Sequence, residues 1–373
     1  MVAPGNAGTV VGRSREELSA IPCEGEQLVP SNLAKLSTGL EGMVLVPPAC
    51  SPGPARRLLV LPDGNRGAIL PGIRVELWGR SFFLGVKGVG ARSPMYDEGT
   101  PGPWEPSFFS EVWFGENPWG AMGRQACLED RALTELTGPG GIAGFHICPM
   151  VRACPLPPPV MELARGRYWY RRFAGGPYYQ EQRLLPSDVR LYYQSESTLG
   201  HRTAAVLSAF GIGEVPALDG FIDNYIRSGI AALTLIPRSL SGEGPGRRAL
   251  DYQDVWLDKD SVLAPDGTLF FADIEGLDWV AVPDAGLLAA LTRRQFERNF
   301  YEFMYGLHRL LGERDRMAER VLTVEARRAD AAARLDLALE RDRFARPELS
   351  RRALDLVSGG AVIRLVDLSE EIP

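Results

Sequence analysis

The sequence predicts an α+β protein with a β-rich N-terminal half and an α-rich C-terminal half. Three observations carry that expectation. Strand-like runs crowd residues 57–90, helical periodicity dominates from residue 187 onward, and a short β-like stretch at 251–280 interrupts the helices. A chain of 373 residues with 45% hydrophobic content has material for about two domains and a substantial core.

Residues 57–61, 73–78 and 82–87 read as strands, with Asp63-Gly64 and Gly79-Arg80 as turns. Between Gly90 and Trp119 lies a long irregular stretch rich in Pro, Gly and aromatics, which predicts an ordered, packed insertion. Residues 122–137 read as a helix: Cys127, Leu128, Leu133 and Leu136 are interleaved with charges, and Gly138-Pro139-Gly140-Gly141 ends it. Residues 144–148 and 167–173 are strand-like. Over 284–312, Leu287, Leu288, Leu291, Phe296, Phe300, Phe303, Met304, Leu307 and Leu311 recur at helical spacing, and 314–345 continue as an Arg/Glu/Ala-rich helix. The organisation expected is an N-terminal extension over 1–55, a small lobe over 56–176 with an insertion at 91–120, and a helical lobe over 177–373 holding a metal-binding loop at 251–280. Strands, helix, strands, helices, a small β-loop and more helices follow the order of a bilobal protein-kinase-like fold.

Composition excludes several function classes. A formal charge of −6 gives no general attraction to nucleic acid. No apolar run approaches the roughly 20 residues of a membrane span. The first residues lack a basic segment followed by an apolar one. Cys23, Cys50, Cys127, Cys148 and Cys154 are odd in number with no CxxC spacing, so reduced thiols in a cytoplasmic protein are expected. His146, His201 and His308 are too scattered for a histidine zinc site, and no GxSxG elbow frames a serine.

Lys87 stands out. It is one of three lysines (Lys35, Lys87, Lys259) among 41 basic residues, and it ends an apolar strand run followed by Gly88-Val89-Gly90. A compact ammonium flanked by glycines suits contact with nucleotide phosphates. Phosphoryl or nucleotidyl transfer also needs an acid to orient that cation and oxygen ligands for Mg²⁺. Glu129 or Asp130, on the predicted helix, is the candidate acid. Asp273 follows an apolar strand and precedes Gly276 by three residues, where a kinase places its metal aspartate. The preceding loop has neither His-Arg-Asp nor Asn, but it holds Asp258, Asp260 and Ser261, which fall in the metal-ligand neighbourhood.

These residues resemble the selenoprotein O family of kinase-like adenylyltransferases. Its Lys-Gly-(Ala/Ser)-Gly-x-Thr-Pro-(Tyr/Phe) motif is similar to the run from Lys87-Gly88-Val89-Gly90 through Arg92 to Pro94 and Tyr96. Its Arg-Ala-Ile-Leu-Leu-Gly run resembles Arg66-Gly67-Ala68-Ile69-Leu70-Pro71-Gly72, and its Arg-(Ile/Val)-Ala-x-Ser strand resembles Arg172-Phe173-Ala174-Gly175-Gly176. The family's metal-binding Asn falls near Ser261, and its second phosphate-contacting arginine has no clear counterpart, with Arg183 nearby. The resemblance implies ATP bound with Mg²⁺ and AMP transfer to a protein hydroxyl. Lys87 and Arg172 would hold phosphates, Gly88 and Gly90 would let backbone approach them, and Arg92 would add charge. Asp273 with Asp258 or Asp260 would hold the metal. Phosphate transfer, a catalytically silent pseudokinase that binds nucleotide or a protein partner, and a small-molecule kinase are the alternatives.

Overall fold

The structure is a computed structural model of the 373-residue chain. It describes residues 15–48, 51, 53–63, 67–89, 120–165, 177–191, 199–252, 257–274, 277–342 and 344. The fold is α+β, with a large antiparallel sheet and a separate helical region. The described residues divide into two compact units. One draws on Met1–Thr137 and Cys148–Asp188, the other on Gly138–Ile147, Val189–Tyr193 and Ser197–Pro373. The 91–119 insertion and the 167–173 strand lie outside the described residues.

Unit 1 is built on one eight-stranded sheet. Its strands are β1 (Glu16–Pro22), β2 (Met43–Val46), β3 (Arg56–Asp63), β4 (Gly67–Leu77), β5 (Arg80–Lys87), β6 (Met122–Gly123), β8 (Met150–Pro155) and β9 (Tyr178–Leu185). The order is β2-β1-β3-β4-β5-β9-β6, with β8 also pairing β9. Residues 16–46, ahead of the predicted strands, thus supply one edge of this sheet. Residues 177–188, beyond the lobe boundary drawn from sequence, supply β9, which lies between β5 and the edge strands β6 and β8. The β4–β5 hairpin turns at Trp78 and Gly79, both in the left-handed region (φ 55° and 73°), as a two-residue type I′ turn requires. Helix α1 (Arg124–Leu136) packs on β6, β8 and β9 and ends just before the predicted Gly-Pro-Gly-Gly stop. A short helix α2 (Pro158–Arg165) follows β8.

Unit 2 is mainly helical: α3 (Leu199–Ala209), α4 (Val215–Leu233), α5 (Leu235–Ser239), α6 (Leu257–Asp260), α7 (Ala285–Met317) and α8 (Val324–Arg341). Asp284 caps α7 by accepting from the Leu287 amide at 2.9 Å, and Thr323 caps α8 through the Ala326 amide at 3.2 Å. The α7 pattern places Phe296, Phe300, Phe303, Leu307 and Leu311 in the core, as its periodicity predicts. Helices α4 and α7 meet closely. Tyr225 stacks on Phe303 with ring centroids 5.2 Å apart, and its hydroxyl donates to the Phe303 carbonyl at 2.9 Å.

Two small sheets complete unit 2. Strand β10 (Arg248–Tyr252) pairs β13 (Leu277–Ala281). Strands β11 (Ser261–Leu263) and β12 (Leu269–Phe271) form the hairpin expected around Asp266-Gly267. Strand β7 (His146–Ile147) adds to β12 in parallel and is shorter than the 144–148 run predicted. Gly267 turns the hairpin at φ +92°, and a Cβ there would lie 2.2 Å from the Phe221 carbonyl oxygen of α4. Gly267→Ala is therefore expected to lower stability by about 2–3 kcal/mol, read as a lower urea midpoint.

His308 is buried in α7, and its Nε2 has no hydrogen-bond partner among the described residues. Burial, then the charges of Arg327 and Arg309, hold its imidazole down to about 4 from 6.5. The folded protein keeps His308 neutral where the unfolded chain takes up a proton, so protonation favours unfolding. Stability from this group is full above pH 6.5 and falls as pH drops toward 4, by on the order of 3 kcal/mol. His308→Leu should flatten that limb when urea unfolding at about pH 7 is compared with about pH 4.5.

Candidate functional site

Strand β9 reads Tyr-Tyr-Gln-Glu-Gln-Arg-Leu-Leu, and Gln180, Glu181, Gln182 and Arg183 are all at most 4% exposed. Side chains alternate along a strand, so each face of β9 carries two of these polar groups into the interior. Each then requires partners, because an unpaired polar group costs several kcal/mol out of water. On one face Gln180 accepts from the Leu45 amide at 2.6 Å and donates to the Leu45 carbonyl at 2.7 Å and the Gly88 carbonyl at 3.0 Å. Gln182 donates to the Leu40 and Met43 carbonyls, both at 3.2 Å. These bonds bring the β2 segment back to β9.

The other face is ionic. Arg183 Nη2 donates to Glu181 at 2.6 Å and to Asp130 Oδ2 of α1 at 2.8 Å, while Arg183 Nε donates to Glu181 at 3.1 Å. Asp130 and Glu181 side chains are fully buried and that of Arg183 is nearly so. Two carboxylates around one guanidinium leave one negative charge in excess. Lys87 lies directly opposite Glu181 in the β5–β9 register, hence on the same sheet face, and is half-buried. With its ammonium counted, the formal charges on this face sum to zero. Cys127 reports the cluster: burial first, then Glu181 and Asp130, push its thiol far up, while Lys87 and Arg183 pull the other way.

Of the two candidate acids on α1, Asp130 faces this cluster. Cys127 and Asp130 are three residues apart and share the buried stripe of α1 with Leu133 and Thr134. Glu129 sits one position away on the outer side, where it accepts from Gln125 at 2.7 Å.

Gly88 follows Lys87 at φ +94°, a conformation that favours glycine, and the room left by its missing Cβ faces the Ala121 Cα at 3.0 Å. Gly90, Arg92 and Arg172 lie outside the described residues. In unit 2, the Ala272 amide donates to the Asp260 carbonyl at 2.8 Å, so Asp260 and Asp273 stand at the same end of the β11–β12 hairpin. Asp260 is buried and Asp273 half-buried. Ser261 is buried, and its hydroxyl donates to the Leu257 carbonyl within α6. Asp258 lies on the α6 backbone between Leu257 and Asp260.

Among the described residues, no three or more His, Cys, Asp or Glu side chains group as a metal site. Magnesium shared with substrate phosphates needs only one or two protein carboxylates, however. Asp260 and Asp273 are of the right oxygen-donor type for that role. Compared with known proteins, the chain matches no family model, no curated protein and no solved structure.

Glu181 is the cluster member that sequence reading passed over. Its signal is the run Gln180-Glu181-Gln182-Arg183 between Tyr179 and Leu184, polar in pattern yet wholly interior. Removing one partner of a buried ion cluster strands the others. Arg183→Met is expected to cost about 3–5 kcal/mol in urea unfolding. Glu129→Gln, on the outer side of α1, should stay within about 0.5 kcal/mol of the parent.

Proposed function

We propose that this protein is an ATP- and Mg²⁺-dependent transferase of kinase-like fold that moves AMP or phosphate to a protein hydroxyl. The observation that carries the proposal is Lys87. It ends the third strand of the antiparallel run β3-β4-β5, and the next helix, α1, turns a buried acid, Asp130, toward the same ionic cluster. A strand lysine fixed by a helical acid is how kinase-like proteins grip nucleotide phosphates. The β11–β12 hairpin adds support, with Asp260 before its first strand and Asp273 after its second. That is the order in which such enzymes present metal ligands.

In this reading Lys87 binds the phosphates, and the Asp130–Arg183–Glu181 group holds the charge around it constant as substrate arrives. Asp260 and Asp273 hold Mg²⁺, which neutralises phosphate charge when bound. Gly88 brings the backbone around sharply after the lysine. Asp258 is the nearest carboxylate in sequence for a role at the acceptor hydroxyl. A nucleotide-binding module without catalysis is the second reading. Its support is the sequence just before Asp260, which has neither the His-Arg-Asp nor the Asn of an ordinary kinase loop.

Two incubations separate these readings. Label incorporated from α-labelled ATP alone indicates AMP transfer, and label from γ-labelled ATP alone indicates a kinase. Thermal stabilisation by Mg-ATP with neither label incorporated indicates the silent module. Lys87→Ala and Asp273→Ala are each expected to abolish the Mg-ATP-dependent rise in melting temperature. If both variants respond like the parent, the nucleotide reading is wrong.

A further inference from the structure

Two cysteines distant in sequence meet in unit 1, and the nucleotide reading uses neither. Cys23 follows β1 directly, and its amide donates to the Gly42 carbonyl at 2.8 Å. Cys154 lies in β8 and is fully buried. Cys23 is partly exposed and packs against the apolar cluster of Ile21, Val44, Val46, Leu156 and Cys154. The two cysteines thus share one packed cluster, close enough that each is the largest influence on the other's thiol. Both are free thiols. The arrangement packs one partly exposed cysteine beside one fully buried one.

We propose that Cys23 and Cys154 form a dithiol modification site that reacts with small-molecule disulfides and closes an internal disulfide between the end of β1 and β8. The Cys23 thiolate attacks one sulfur of the small disulfide RSSR, giving a mixed disulfide on Cys23 and releasing RS⁻, which takes a proton from solvent. Cys154 then loses its proton to solvent, and its sulfur displaces the second RS⁻ from Cys23. Two electrons pass from the cysteines to RSSR, and two RSH leave.

The environment sets this order. Cys154 is the largest influence on Cys23; burial opposes it, while the Cys23 backbone amide and Arg152 reinforce it. Together they lower the Cys23 thiol to about 7, from 9.0. Cys23 and burial hold Cys154 well above the ordinary thiol range. A partly exposed, readily ionised thiol is the attacking one, and a buried neighbour in the same cluster is the resolving one.

The test is to incubate the full chain with excess oxidised glutathione, trap the remaining thiols with N-ethylmaleimide, and map peptides by mass spectrometry. The wild-type protein should lose the mass of two hydrogens and yield a Cys23–Cys154 cross-linked peptide. Its melting temperature should rise and return to the starting value with dithiothreitol. Cys154→Ser should retain one glutathione on Cys23, and Cys23→Ser should leave Cys154 unmodified. Wild-type protein that keeps glutathione on Cys23, bridges Cys23 to Cys50, or does not react overturns the proposal. Mapping of the wild type decides the matter even if a variant fails to fold. No step involves nucleotide, so the result is independent of the transferase reading.

Discussion

The constraint on which unit 1 depends is the burial of charge along β9. A guanidinium and two carboxylates out of water carry a desolvation penalty of several kcal/mol per ion, offset only when every member is well placed. Arg183 meets that condition by reaching Glu181 on its own strand and Asp130 on α1. The rotation of α1 is thereby set: turned by one residue, it would present Glu129 and leave Arg183 short of a partner. On the opposite face, Gln180 and Gln182 do the same for the segment leading into β2. A strand that is interior on both sides thus fixes what lies above and below it through directional bonds. Apolar packing alone is far more tolerant of sliding.

The same group prepares a place for a cation. With one net negative formal charge left around Arg183, Lys87 stands opposite Glu181 on the same face of the sheet. Under the transferase proposal, phosphates would meet a positive head on a base whose formal charges cancel. Reorganisation on binding is small when neighbouring charges are already fixed, and this is the property that makes electrostatic catalysis effective. It also separates two roles that a sequence merges. Lys87 is half-buried, whereas Arg183, two residues along β9 from the Glu181 that faces Lys87, is committed to structure by its buried carboxylates.

Much of the scaffold was legible in the sequence where pattern and environment agree. The apolar run ending at Lys87, the Gly-Pro stop after α1, the turn at Asp266-Gly267 and the aromatic periodicity of α7 are local signals, and local structure follows them. What escaped is non-local. Residues 16–46 carry no strong alternation and form strands because β3 and the glutamines of β9 supply partners from far along the chain. Glu181 was invisible because polar residues in a strand are ordinarily read as its wet face. Only the register with β5 and the position of α1 make both faces interior. That Asp130 rather than Glu129 meets Arg183 is likewise a matter of helix rotation, and no spacing rule within the helix contains it.

The small strand β7 has a consequence for how the chain can be divided. It lies in sequence between α1 and β8, two elements of unit 1, yet its hydrogen bonds go to β12 in unit 2. Phe145, beside it, packs against Phe271 with ring centroids 4.6 Å apart and the rings tilted by 32°. A fragment beginning after β9 would therefore lack a strand and an aromatic layer of its own sheet. During synthesis, His146 and Ile147 must remain without their partners until more than a hundred further residues have been added. The two units are separable in space but interleaved along the polypeptide, so neither completes its fold as a simple N-terminal or C-terminal half.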